Sequence, residues 1–294
     1  MGIVADQMRV NYFLFVYFYE LERLLNSDYN SLIEIKFQSE EANTDEFTKK
    51  FLQNYIRQNN NIKKSKVDFI KTITNDLSET IEVAILHDFS ITNVYIPDEL
   101  SNEHKADIYK RKSAVYTNPD LLLEITFNGA VFYEPIEIKS TKGNSIPGSS
   151  IQQVLPYEWV IFIKRSKEKI EVSTGHYINS LTEKLPFPDR SPRPQVAFET
   201  LVDWNKNNRF VENNSLILHK NEVLDQQKIQ LLTDWQDYLA NEWLEIIKNK
   251  HKAKSEKWFN NALRKFAVKF LEYSKELKEE ELNDLISSLK RLTD

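Results

Sequence analysis

Hydrophobic positions along this chain change their period several times. Over residues 8–26 apolar side chains recur on one side, the signature of an amphipathic helix. Leu32, Ile33, Ile35 and Phe37 predict a short strand over Ser31 to Phe37. Asp45 to Gln58 again has helical spacing, and Asn59-Asn60-Asn61 breaks it. Val67, Ile70, Ile73, Leu77, Ile81, Ala84 and Ile85 recur at helical intervals, so a helix is expected over 65–87. Ile91 to Ile96 reads as a strand ended by Pro97.

The most local signal lies at 120–139. Leu121 to Phe127 has a strand pattern, Asn128-Gly129 is a hairpin turn, and Val131 to Ile138 is a second strand. Gly, Pro and Ser crowd 142–150, which predicts a loop. Ile151 to Leu155 has room for one helical turn before Pro156, and Trp159 to Ile163 is an apolar run that predicts a buried strand. A proline-rich loop spans 186–194, and from about Asn221 the chain is helical to its end. These periods predict an α+β protein. A helical and strand region at 1–64 precedes a core at 65–215 with a central mixed β-sheet flanked by helices, and a helical region at 216–294 follows.

Composition narrows the chemistry. The 294 residues include no cysteine, which excludes disulfides, thiolate metal sites and cysteine nucleophiles and fits a cytoplasmic location. The apolar stretch Tyr12 to Tyr19 is too short to span a bilayer, so no membrane partner is expected. The net charge is −5, yet its distribution is uneven: 101–220 holds 16 Lys and Arg against 14 Asp and Glu, a net of +2. The histidines at 87, 104, 176, 219 and 251 show no metal-ligand spacing, and no phosphate-binding glycine loop occurs, so no nucleotide cofactor is expected.

Asp120 opens the first strand of the hairpin after Asn118-Pro119, and Glu137-Ile138-Lys139 closes the second. Glu137 and Lys139 are two apart and share a face, which Asp120 joins if the two-residue turn sets the register. Two carboxylates at one end of adjacent strands are the ligands magnesium prefers, with a backbone carbonyl such as that of Ile138 as a third. A neighbouring ammonium steadies charge developing on a phosphorane. Other Pro-Asp pairs, at 97–98 and 188–189, lack a following Glu-x-Lys, and Glu34-Ile35-Lys36 lacks a preceding Pro-Asp. A charged edge hairpin that blocks aggregation would carry similar residues.

Pro119-Asp120 with Glu137-Ile138-Lys139 resembles the motif of the PD-(D/E)XK nuclease superfamily, over about residues 70–165, and the chain looks most like a type II restriction endonuclease. The resemblance implies a restriction-endonuclease-like core, with Asp120 and Glu137 holding magnesium and Lys139 assisting the nucleophile. It implies hydrolysis of double-stranded DNA at a specific sequence, by a homodimer if the site is a palindrome. The family often adds an acid from a helix before the sheet, for which Glu79 and Glu82 are the candidates here; Glu124, on the Asp120 strand, is another. Gln153 and Tyr157 are similar to a glutamine-tyrosine motif of some members, although Pro156 departs from it. Alternative readings are a structure-specific repair or recombination nuclease and a non-catalytic DNA-binding module with a decayed core. Lys110, Arg111 and Lys112 before the site, Lys142, Asn144 and Ser145 after it, and Gln152, Gln153, Arg190 and Arg193 are the candidate DNA contacts.

Overall fold

Heptad-like burial begins at the N-terminus. Helix α1 (Gly2–Ser27) buries Val10, Phe13, Leu14, Tyr17, Phe18, Leu21 and Leu25, a stripe with the three-and-four spacing of its sequence. The structure is a computed structural model that describes residues 2–28, 32, 46–75, 77–111, 118–149, 155–166, 169–182, 194–249 and 257–293. The expected strand at 31–37 falls outside these residues except for Leu32, which is helical and buried; the turn expected at 151–155 and the loop at 186–194 also lie almost wholly outside them.

Helix α2 (Glu46–Gln58) is followed by strands β1 (Phe69–Thr74), β2 (Leu77–Glu82) and β3 (Ser90–Tyr95), then by helix α3 (Asn102–Arg111). The hairpin is formed by β4 (Leu121–Phe127) and β5 (Ala130–Thr141). After it come β6 (Ser145–Pro147), β7 (Trp159–Arg165), β8 (Ile170–His176) and β9 (Gln195–Ala197). Helix α4 (Phe198–Asn208), β10 (Arg209–Glu212), β11 (Ser215–Lys220) and α5 (Glu222–Thr233) complete the first compact unit, which consists of Met1–Pro186 with Arg193–Thr233. Helices α6 (Trp235–Lys248), α7 (Lys257–Glu276) and α8 (Glu279–Thr293) belong to the second unit.

Within the first unit a five-stranded mixed sheet has the order β3-β4-β5-β7-β8, antiparallel except for the parallel β5–β7 pair. Its inner face, with Leu121, Leu123, Ile125, Ile136, Ile138, Ile161 and Ile163, joins the buried side of α1 in one hydrophobic core. On the outer face Leu122 packs with Leu100 and Ile108. A second sheet, β10-β11-β1-β2, pairs β1 in parallel with β11. The β6–β9 ribbon occupies part of the expected 142–150 loop.

The 65–87 segment is a correction: β1 and β2 form an antiparallel hairpin with Asn75 at φ +52, followed by a short 3-10 turn at Val83–Leu86. Two features favour the strand. The run Ile70-Lys71-Thr72-Ile73-Thr74 is β-branched at four of five positions, which suits a pleated surface, and Asn tolerates the left-handed turn geometry. The pairing with β11 then satisfies the other edge of β1. Glu79 and Glu82 therefore sit on a strand, not on a helix.

The second unit has a small interior, with Leu239 and Ile246 buried and the Trp243 ring 5.9 Å from that of Phe259. Trp258, next to Phe259, is 68% exposed. No described helix is long and apolar enough to cross a membrane.

Candidate active site

The hairpin register follows from its turn. Asn128 and Gly129 have φ of +48 and +81, the double positive φ of a type I′ turn that matches strand twist. Phe127 then pairs with Ala130 and, six steps on, Leu121 with Ile136. One further step sets Asp120 opposite Glu137. Because Leu121, Ile136 and Ile138 face the core, Asp120, Glu137 and Lys139 all face the other side.

Asp120 ends the β4–β5 ladder with its side chain. Its Oδ2 accepts a hydrogen bond from the Ile138 amide at 2.8 Å, just ahead of the first residue of β4, while buried Pro119 has no amide to offer. In a strand the N–H and C=O of one residue leave on the same edge, so the Ile138 carbonyl points to the edge where Asp120 lies. Asp120 Oδ1 pairs with Lys49 Nζ at 2.7 Å, with side chains 17% and 13% exposed for lysine and aspartate. Burial and the nearby Glu137 carboxylate push the Asp120 carboxyl above its ordinary value, against the pull of Lys49 and the Ile138 amide.

Glu137 and Lys139 form the second half. Lys139 Nζ lies 2.6 Å from Glu137 Oε1, both side chains being 12% exposed. Ser149 bridges them, its Oγ accepting from Lys139 Nζ at 2.7 Å and donating to Glu137 Oε1 at 2.5 Å. Several contacts hold this serine in place. The Ser149 amide donates to the Tyr177 hydroxyl at 3.0 Å, and the Gly148 amide to the Pro194 carbonyl at 2.8 Å. A Cβ on Gly148 would lie 2.2 Å from Tyr177 Oη and 2.5 Å from the Pro194 oxygen, so only glycine fits there.

Sequence reasoning missed Lys49 and Tyr177, and took Ser149 only as part of a 142–150 loop that could contact DNA, not as a partner of Glu137 and Lys139. Lys49, Gln53 and Arg57 are four apart on α2, and the latter two both donate to the Val94 carbonyl, at 2.7 and 2.8 Å. Val94 pairs with Leu123. That anchoring points Lys49, one turn earlier, at the start of β4. A polar stripe at 49, 53 and 57 is visible in the sequence; its partner is not.

The other candidates separate from this cluster. Glu79 Oε2 accepts from the Tyr12 hydroxyl at 2.8 Å in the second sheet, and Glu82 pairs across from Phe69 there. Glu124 is four strand residues from Asp120, about 13 Å at about 3.3 Å per residue, too far to share an ion. Its carboxylate accepts from Thr92, Asn93 and Tyr95 of β3. Burial raises the Glu124 carboxyl, but the bonds from Tyr95, Asn93 and Thr92 outweigh it and hold it below its ordinary value. Among the described residues no group of three or more His, Asp or Glu is arranged to hold a metal.

Lys110 and Lys142 are exposed. Arg111 ends α3. Asn144 and Ser145 brace their own loop: Asn144 Oδ1 accepts from the Glu199 amide and Ser145 Oγ from Gln195 Nε2, both at 3.0 Å. Lys112, Gln152, Gln153, Arg190 and Arg193 lie outside the described residues. Tyr157 is 48% exposed, its ring edge against His176.

No protein-family model, curated protein or solved structure matches this chain. The class rests on the fold and the site: an α+β protein with a mixed sheet and two lysine-paired carboxylates facing away from its core.

Proposed function

We propose that this chain is a magnesium-dependent endonuclease of the PD-(D/E)XK kind acting on double-stranded DNA. One observation carries the reading. Asp120, Glu137 and Lys139 stand on one face at one end of adjacent strands, with the Asp120 carboxylate bonded to the backbone of Ile138. The donor set suits magnesium, which takes one or two carboxylates, oxygen ligands and water, and needs no third acid. Asp120 and Glu137 would hold the ion, with the Ile138 carbonyl on the same edge. Bound there, magnesium would supply an activated water and a counter-charge for the phosphate.

The chain's own groups do the rest. Lys139 presents its ammonium beside Glu137, where charge grows on the phosphoryl oxygens. Ser149 fixes the Lys139 and Glu137 head groups relative to each other, which limits the geometries they sample. Desolvation of Asp120 strengthens its hold on any cation that enters. Cleavage at a short specific sequence by a homodimer belongs to the same proposal.

The test is incubation of the protein with plasmid and phage DNA in magnesium. Discrete fragments would support sequence-specific restriction, branch-dependent cutting a repair nuclease, and no cutting a binding module. Asp120→Asn and Lys139→Ala are expected to abolish cleavage and, by leaving Lys49 or Glu137 without its partner, to lower the melting temperature without preventing folding; cleavage at the wild-type rate in either variant would refute the site.

A further inference from the structure

The two carboxylates are each matched by an ammonium. Lys49 pairs with Asp120 and Lys139 with Glu137, so these four side chains sum to zero charge, two negative and two positive. All four are at most 17% exposed, so water screens them poorly. A divalent cation added to this cluster alone brings an excess of two positive charges into a partly dry site. It also competes with the Lys49 ammonium for Asp120 Oδ1. A phosphate group offers the opposite charge at the same place.

We infer that Lys49 is a further positioning residue of the site, which occupies Asp120 in the free protein and passes to a DNA phosphate as the cation enters. The inference rests on the nuclease reading. Lys49 suits the exchange because it is a flexible point charge on a helix that Gln53 and Arg57 anchor to the Val94 carbonyl of β3 and to Glu99 rather than to the site. The helix can stay docked while the Lys49 head group moves. Cation and DNA then bind with positive cooperativity, since each relieves the charge that opposes the other.

The experiment is calorimetric titration of calcium into the full chain, with and without a short duplex, for wild type, Lys49→Gln, Lys49→Met and Lys49→Arg. Calcium reports occupancy without relying on cleavage. Wild type is expected to take calcium about tenfold or more tightly with duplex present, within the usual range of coupling between two sites. Lys49→Gln and Lys49→Met should bind calcium several-fold more tightly than wild type in the absence of DNA, and should gain less from the duplex. Lys49→Arg, which keeps the charge, should stay near wild type. Thermal melts confirm that each variant is folded, and the two neutral variants guard against one that is not. If wild type binds calcium and cuts DNA, but the neutral variants match its DNA-free affinity, the role of Lys49 is overturned and the nuclease reading stands. If wild type neither binds calcium with duplex nor cuts, the nuclease reading itself falls.

Discussion

The Ser149 hydroxyl is held at both ends, by Lys139 and by Glu137, and its backbone is held by Tyr177. Ser149→Ala removes a side-chain link while leaving both charged groups. Loss of such a supporting contact typically costs about 10–100-fold in activity. We expect that drop in cleavage rate with little change in melting temperature, and partial recovery in Ser149→Thr. A second residue-scale prediction concerns His176. It is half-buried, packed against Phe15, Trp159 and Tyr157, and desolvation, with help from Arg209 and Lys220, pushes its pKa down to about 3. The fold therefore holds the neutral ring. Above the unfolded value of about 6.5 both states are neutral and the full stability is present. As pH falls from there toward 3, the unfolded chain takes a proton that the fold refuses, and stability drops by up to about 1.4 kcal/mol per pH unit. Melting temperatures from pH 7.5 to 4 should fall, and His176→Phe should flatten the decline; parallel curves would contradict the assignment.

Turns set the elements that carry the site, and two glycines test them differently. Gly129 has φ +81 and open space around its Cβ position, so Gly129→Ala meets only the backbone penalty, about 1–2 kcal/mol. The β4–β5 register is expected to survive, and with it cleavage. Gly148 has no such room, since Tyr177 and the Pro194 carbonyl occupy the Cβ position. Gly148→Ala must displace the segment that carries Ser149, so both stability and cleavage should suffer. Urea unfolding alongside a plasmid assay separates the two cases: activity lost in Gly129→Ala but kept in Gly148→Ala would reverse this account. The β4–β5 hairpin was legible because its turn, alternation and charged ends all lie within one stretch of sequence. The β1–β2 hairpin was not. Ile70, Ile73, Leu77 and Ile81 fit a helical period, and the β-branched run at 70–74 prevails over it once β1 pairs with β2 and β11.

The whole first unit is closed by contacts between distant parts of the chain. Arg209, its side chain 1% exposed, reaches Glu22 of α1 at 2.6 Å and Thr174 of β8 at 3.1 Å. Asn205 bonds to Ser173 and to the Thr174 carbonyl beside it. These bonds tie the first helix to the last hairpin. Arg209→Ala would leave Glu22 without its cation and the Thr174 hydroxyl without a donor from Arg209. Breaking a buried pair from one side costs about 3–5 kcal/mol, and the partial exposure of Glu22 puts the expected loss near the lower end. Denaturant unfolding measures it, and a loss below about 1 kcal/mol, the worth of a surface pair, would show the network to be peripheral.

The sequence alone determined what short-range chemistry can encode: the first helix from its apolar stripe, the Asn128-Gly129 turn from residues that tolerate positive φ, and through that turn the alignment of Asp120 with Glu137 and Lys139. Only the tertiary structure decided which side chains complete the cluster. Lys49 and Ser149 arrive on a separate helix and a braced loop, brought in by the Val94 anchors of α2 and by the Gly148 contacts with Tyr177 and Pro194. Local pattern sets period and turn, whereas the partner of a buried charge is chosen by packing across the chain, where leaving it unpaired would cost more than any local preference supplies.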